Sequence, residues 1–184
     1  MRVLPRSFYL RDTVKVSRDL LGKMLVHDMD GNIRSGIIIE TEAYGSGNDP
    51  ASHAFGGMTR RNQAMFGEVG RAYVYFTYGM HYCVNAVARH ADSQAGAVLI
   101  RALRPVMGLE EMARCRGSGA KRSMTGGPAM LTQALGITKK QYGEDLTTPE
   151  GLYICEYEAA GDILAGPRVG IRRGMDLNWN FVLR

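Results

Sequence analysis

Cysteine is scarce in this chain: Cys83, Cys115 and Cys155 stand far apart among 184 residues, with no CxxC or Cys/His spacing. An odd, scattered set excludes a disulfide framework and gives no support to a zinc site, so a reducing compartment is the expected setting. The four histidines, His27, His53, His81 and His90, show no ligand spacing either, and neither a metal nor a cofactor is expected. No apolar run approaches the roughly 18 residues needed to cross a bilayer. The first ten residues, interrupted by Arg2, Pro5 and Arg6, do not form the apolar stretch of an export signal. The expectation is a soluble, untargeted, cytoplasmic protein with no membrane partner. P-loop, GxSxG, HExxH and strand-borne GxGxxG motifs are all missing, so nucleotide hydrolysis, serine-hydrolase chemistry, zinc proteolysis and dinucleotide binding lack support. There is no low-complexity tract and no block of like charge, which argues against disorder.

What is present reads as one domain over residues 1–184, long enough to hide roughly 70% of its unfolded surface. Lys and Arg number 23 against 18 Asp and Glu, a formal charge of +5 that favours an anionic partner. Val14, Ser17, Leu20 and Leu21 form a stripe at helical spacing, capped by Asp12 or Thr13 and ended by Gly22. Lys23–Asp28 and Ile33–Tyr44 read as two strands about an Asp30-Gly31 turn. After a loop over 45–57 and a short helix within Thr59–Phe66, two aromatic runs, Arg71–Tyr78 and His81–Ala88, predict a second hairpin with a tight tip. Ala97–Leu103 is a further strand and Leu109–Cys115 a short helix, and Pro128 and Gly136 bracket another helix. Gly151–Glu158, Arg168–Ile171 and Trp179–Leu183 are candidate closing strands. The sum is a mixed α/β fold whose hairpin-joined strands make a curved, mainly antiparallel sheet flanked by helices and a protruding β-hairpin.

Alternate residues of a strand share a face, so Glu40, Glu42 and Tyr44 line one side while Thr41 and Ala43 point away. Two glutamates on a strand are commonly a solvated edge; here they follow three isoleucines and run into a glycine-rich loop, where a buried strand reaches a cleft. Arg101 sits within the apolar run Ala97–Leu103, where its charge needs an acidic partner unless it snorkels to the strand edge. Glu42 is a natural candidate. A facing guanidinium favours the ionised form of a carboxylate, which suits a general base that orients water.

Tyr73, Tyr75, Tyr78 and Tyr82 crowd the second hairpin, with Asn85 just beyond. Such a cluster is often sheet packing. Tyr78, however, stands at a glycine-containing tip, the shape of a wedge that unstacks bases. Basic groups recur in or beside predicted loops: Arg60 and Arg61, Lys121 and Arg122, then Arg168, Arg172 and Arg173. They serve either solubility or the positioning of phosphates.

Several long motifs then fall into one register. Glu40-Thr41-Glu42-Ala43-Tyr44, His53 within Ala51–Ala54, Thr59-Arg60-Arg61-Asn62, Met65-Phe66, the block Gly70–Asn85, Ala97–Leu103, Gly126-Gly127-Pro128 and Arg168–Ile171 together resemble the alkyladenine (3-methyladenine) DNA glycosylase family. The ending, Trp179–Arg184, resembles the family's aromatic ending only loosely. The resemblance implies a monofunctional glycosylase that acts on double-stranded DNA containing damaged purines, flips the base out and hydrolyses its bond to the sugar. It implies Glu42 as the base that activates water, Arg101 as its helper, and Tyr44, His53, Tyr75 and Asn85 as the base pocket. It further implies Tyr78 as the intercalating wedge; beside it, the basic clusters make Arg60, Arg61, Lys121, Arg122 and Arg168 the expected contacts to the DNA backbone, and a monomer is expected. Two rivals remain at this level: a nucleic-acid binding module that has lost turnover, against which the presence of Glu42 speaks, and a small-molecule hydrolase, against which Tyr78 and the basic clusters speak.

Overall fold

A two-residue turn opens the sheet. Asp30 and Gly31 both take left-handed backbone angles, φ +54° and +90°, the twist that closes a tight hairpin without splaying its arms. The turn joins β1 (Met24–Met29) to β2 (Asn32–Tyr44), with Met29 opposite Asn32. The computed structural model describes residues 1–77, 79, 81–117 and 123–184; Tyr78, Lys121 and Arg122, singled out above, lie outside the described residues.

Beyond this hairpin the chain adds β3 (Ala72–Thr77), β4 (His81–Val87), β5 (Ala97–Met107), β6 (Leu152–Cys155), β7 (Ile163–Gly166) and β8 (Asn180–Leu183). The sheet runs β3-β4-β5-β2-β1-β6, with β8 also on β2 and β7 on β8. These pairings are all antiparallel, and the sheet curls into half a barrel, as the mixed α/β reading expected. Long β2 is its spine. Its first half pairs with β1 and its last residues with β8, Glu40 opposite Val182 and Glu42 opposite Asn180. On its other edge β2 pairs with β5, but the register shifts on both sides of Glu40, so that Ile39 and Arg101 are left without a partner across the ladder. Such an irregularity bends a strand and re-aims its side chains; here it brings Glu40, Glu42 and Arg101 together.

Four helices, α1 (Arg6–Tyr9), α2 (Thr13–Asp19), α3 (Leu109–Arg116) and α4 (Pro128–Leu135), complete the described elements together with two short 3-10 turns. Asp12 caps α2 by accepting the Lys15 N–H at 3.0 Å. Proline at the first position and left-handed Gly136 past the end bound α4, the asymmetry its sequence predicts. Leu131, Ala134 and Leu135 of α4 and Val16 of α2 join Leu20, Ile38, Val84 and Ile100 in the main core, each large aliphatic side chain contributing about 1.5–3 kcal/mol on full burial.

One expected element is absent. Residues 168–171 form no strand, and β7 lies a few residues earlier instead. Arg168 is drawn into a buried ion pair, the Val169 N–H is taken by a carboxylate, and Gly170 turns with φ +75°. The backbone groups a strand would need are thus engaged by side chains.

Candidate active site

Because β2 alternates, the hydroxyl of Tyr44 folds back onto Glu42 Oε2 at 2.8 Å, while Thr41 turns the other way and donates to the Ser17 carbonyl at 2.8 Å. Glu42 is completely buried. Its Oε1 accepts the Val169 N–H at 2.6 Å and Asn180 Nδ2 at 3.2 Å, and Arg101 Nη1 reaches its Oε2 at 3.4 Å. The expected Glu42–Arg101 pair is therefore formed. Burial works against the charged form of Arg101, but attraction to Glu42 and the hydrogen bond to Glu40 outweigh it and raise the pKa. Burial, and then the adjacent Glu42, push the Tyr44 phenol well above its ordinary value. It stays protonated and donates.

Above this cluster opens a cleft of about 420 Å³, within the span of small-molecule sites, roughly 300–1,000 Å³. Tyr44, His53, Tyr75 and Asn85, the four residues expected to form a pocket, all line it, as do Arg101 and Val169. Glu42 does not line it: its carboxylate lies one side chain beneath the floor, in contact with Tyr44, Arg101 and Val169, which do. His53 and Tyr75 meet edge to face with ring centroids 4.7 Å apart, a favoured aromatic geometry. The His53 Nδ1 is 2.9 Å from the Tyr73 hydroxyl, and burial and then Arg61 lower its pKa, favouring the neutral ring. Asn85, on β4, is buried and donates to the Tyr73 carbonyl at 2.9 Å across the β3–β4 ladder.

Basic side chains ring the opening. Exposed Arg61 lies 5.2 Å above the Tyr75 ring, and exposed Arg172 and Arg173 line the cleft from the C-terminal segment; Arg60 is exposed but is not among the lining residues. Arg168 differs from expectation. Instead of facing a DNA backbone it is buried, bound in a fork to both oxygens of Asp49 at 2.6 and 2.7 Å. Its guanidinium lies 4.8 Å from the Tyr44 ring and 5.2 Å from Trp179. Asp49 also accepts the N–H groups of Gly45 and Ala51, so the pair ties the loop that carries His53 to the segment that carries Val169. Sequence reasoning missed Asp49 and Asn180. Neither has a spacing that marks it, since each acts across a contact between distant segments.

An aromatic-walled cleft with a cationic lip, set over a buried glutamate that is paired with an arginine of the lining, has the parts of a hydrolase site open to an anionic substrate. Comparison with known proteins takes the same direction. Residues 7–184 match the methylpurine-DNA glycosylase family. A protein of Carboxydothermus hydrogenoformans is 50% identical over 184 residues, covering 99% of this chain and 95% of its own length. One from Chlorobaculum tepidum is 45% identical, covering 97% of this chain and 86% of that protein, and one from Granulibacter bethesdensis is 46% identical, covering 97% and 82%. All three carry the provisional name 3-methyladenine DNA glycosylase. The chain belongs to the methylpurine-DNA glycosylase family: it is a monofunctional DNA glycosylase, a hydrolase of DNA repair.

Proposed function

We propose that this enzyme extrudes alkylated or deaminated purines, 3-methyladenine, 7-methylguanine and hypoxanthine, from double-stranded DNA and hydrolyses their bond to the sugar with water activated by Glu42. The observation that carries this reading is the Glu42–Arg101 pair directly beneath a ring-walled cleft of purine-holding size. Of the four hydrogen bonds on Glu42, the one from Arg101 is the longest. A water entering as that pair parts, bonded to both, would have its free lone pair directed at the cleft. Its oxygen bonds to C1′, the glycosidic bond breaks with its electron pair passing to the purine nitrogen, and its proton passes to Glu42. The products are an abasic site and the free base, neutral at once from a cationic lesion; hypoxanthine, neutral in DNA, takes a proton from solvent at the leaving purine.

A cationic base such as 3-methyladenine gains about 0.5–2 kcal/mol on the electron-rich faces of Tyr44 and Tyr75, and it departs readily as a neutral purine. Weak pairing in a lesion lowers the cost of extrusion, a second source of selectivity. Asn85 at the floor disfavours the exocyclic amino group of normal guanine. Tyr78 fills the space left in the duplex, and Arg60, Arg61, Arg172 and Arg173 hold phosphates around the opening. The enzyme acts as a monomer, in the cytoplasm where it meets chromosomal DNA.

Glu42→Gln tests the assignment. Base release from duplex carrying 3-methyladenine, read by alkaline cleavage at the abasic site, is expected to be abolished while lesion binding persists. Release that continues, or binding that disappears with it, would make Glu42 a structural acid.

A further inference from the structure

Glu40 has no part in the chemistry so far, yet it grips Arg101 more closely than Glu42 does. Its Oε1 accepts Arg101 Nε at 2.8 Å, against 3.4 Å from Arg101 Nη1 to Glu42. The same oxygen accepts Asn180 Nδ2 at 2.8 Å, and that amide also reaches Glu42 at 3.2 Å. Two carboxylates therefore share one guanidinium and one amide. Glu40 and Glu42 come from β2, Arg101 from β5 and Asn180 from β8. Arg168, beyond the Tyr44 ring, is bound to Asp49 instead. Among the described residues, the cluster under the cleft floor thus sets two carboxylates against one guanidinium.

That surplus has a use. As the bond from C1′ to the purine lengthens, positive charge develops on the sugar, as in the oxocarbenium-like transition states of glycoside hydrolysis. A lone Glu42–Arg101 pair is neutral as a whole and exerts little field on that charge. A fixed negative site, sheltered from water, stabilises it and needs no reorganisation during the reaction. We propose that Glu40 is a positioning residue for base release: it neutralises Arg101, so that the charge of Glu42 acts on the sugar, and it holds the guanidinium so that the Nη groups face Glu42 and the cleft. Glu40 neither gives nor takes a proton. This inference rests on Glu42 being the group that activates water.

The test is single-turnover base release across pH by Glu40→Gln, Glu40→Asp and Glu42→Gln on one 3-methyladenine duplex, with lesion affinity and thermal melting measured alongside. Glutamine keeps an oxygen for Arg101 Nε and Asn180, so affinity and melting should hold while release slows about 10- to 100-fold. Removing a like charge beside the base should also move the acidic limb of the rate profile to lower pH. Glu40→Asp, which keeps the charge, should recover most of the rate. Release by Glu40→Gln that matches the unsubstituted enzyme, with an unmoved acidic limb and an inactive Glu42→Gln, overturns the role of Glu40 alone. Equal losses in Glu40→Gln and Glu40→Asp, accompanied by early melting, also overturn it by reducing Glu40 to a scaffold. An active Glu42→Gln overturns the underlying reading, and this inference with it.

Discussion

Asp49 shows how much one side chain can hold. It faces a guanidinium with no solvent exposure, and its two oxygens accept four hydrogen bonds from three residues, Gly45, Ala51 and Arg168. Asp49→Ala leaves that charge buried and alone, and is expected to cost about 3–5 kcal/mol of stability. Urea unfolding followed by the fluorescence of Trp179, the chain's single tryptophan, would measure it, since the indole lies beside Arg168. An unchanged midpoint would mean that Arg168 relaxes to another partner. At this scale the sequence was informative where chemistry declared itself. An arginine inside an apolar run demanded an acid, and Arg101 found Glu42 as expected and Glu40 closer still. It was misleading where a loop arginine beside other basic residues looked like a surface cation; nothing in Arg168 itself reveals that Asp49, 119 positions away, is folded against it.

Among elements, the turns and periodic segments were the most legible. Asp30-Gly31, Pro128 and Gly136 act through backbone restrictions that operate locally, so β1, β2 and α4 came out close to their expected bounds. The segment 168–171 did not, because its backbone partners are side chains delivered by tertiary folding. The irregularity of β2 around Glu40 was equally hidden, since alternation alone places Glu40 and Glu42 on one face but says nothing of where β5 slips its register. The paired strands β3 and β4 carry their own prediction. Thr77 pairs with His81, and Tyr78, which follows Thr77 in the sequence, lies outside the described residues. Tyr78→Ser is expected to reduce the population of extruded base, measured by a fluorescent base analogue opposite or beside the lesion, with the hydrolytic step on already extruded base little affected. An unchanged extrusion equilibrium would remove the wedge role.

Over the whole molecule, charge sets the encounter with DNA. Of the basic groups behind the net charge of +5, Arg61, Arg172 and Arg173 stand exposed about the cleft. Each phosphate contact contributes about 0.9 to the slope of log affinity against log salt on B-DNA. Arg61→Ala is accordingly expected to weaken binding to damaged and undamaged duplex alike and to lower that slope by about one, measured by fluorescence anisotropy over a salt series. A loss confined to the lesion-bearing duplex would instead assign Arg61 to the pocket wall, through its contact with Tyr75.

The identities of the chemical groups, the alternation that puts two acids and a tyrosine on one face, the hairpin turns and the family were all written in the order of residues, because each follows from short-range geometry or from long motifs in register. The closure of the site was not. The Val169 N–H and Asn180 amide on Glu42, the Asp49 clasp on Arg168 and the sharing of Arg101 by Glu40 and Glu42 join segments up to 140 positions apart. Contacts of that kind exist only once the sheet has curled and its strands have settled their registers.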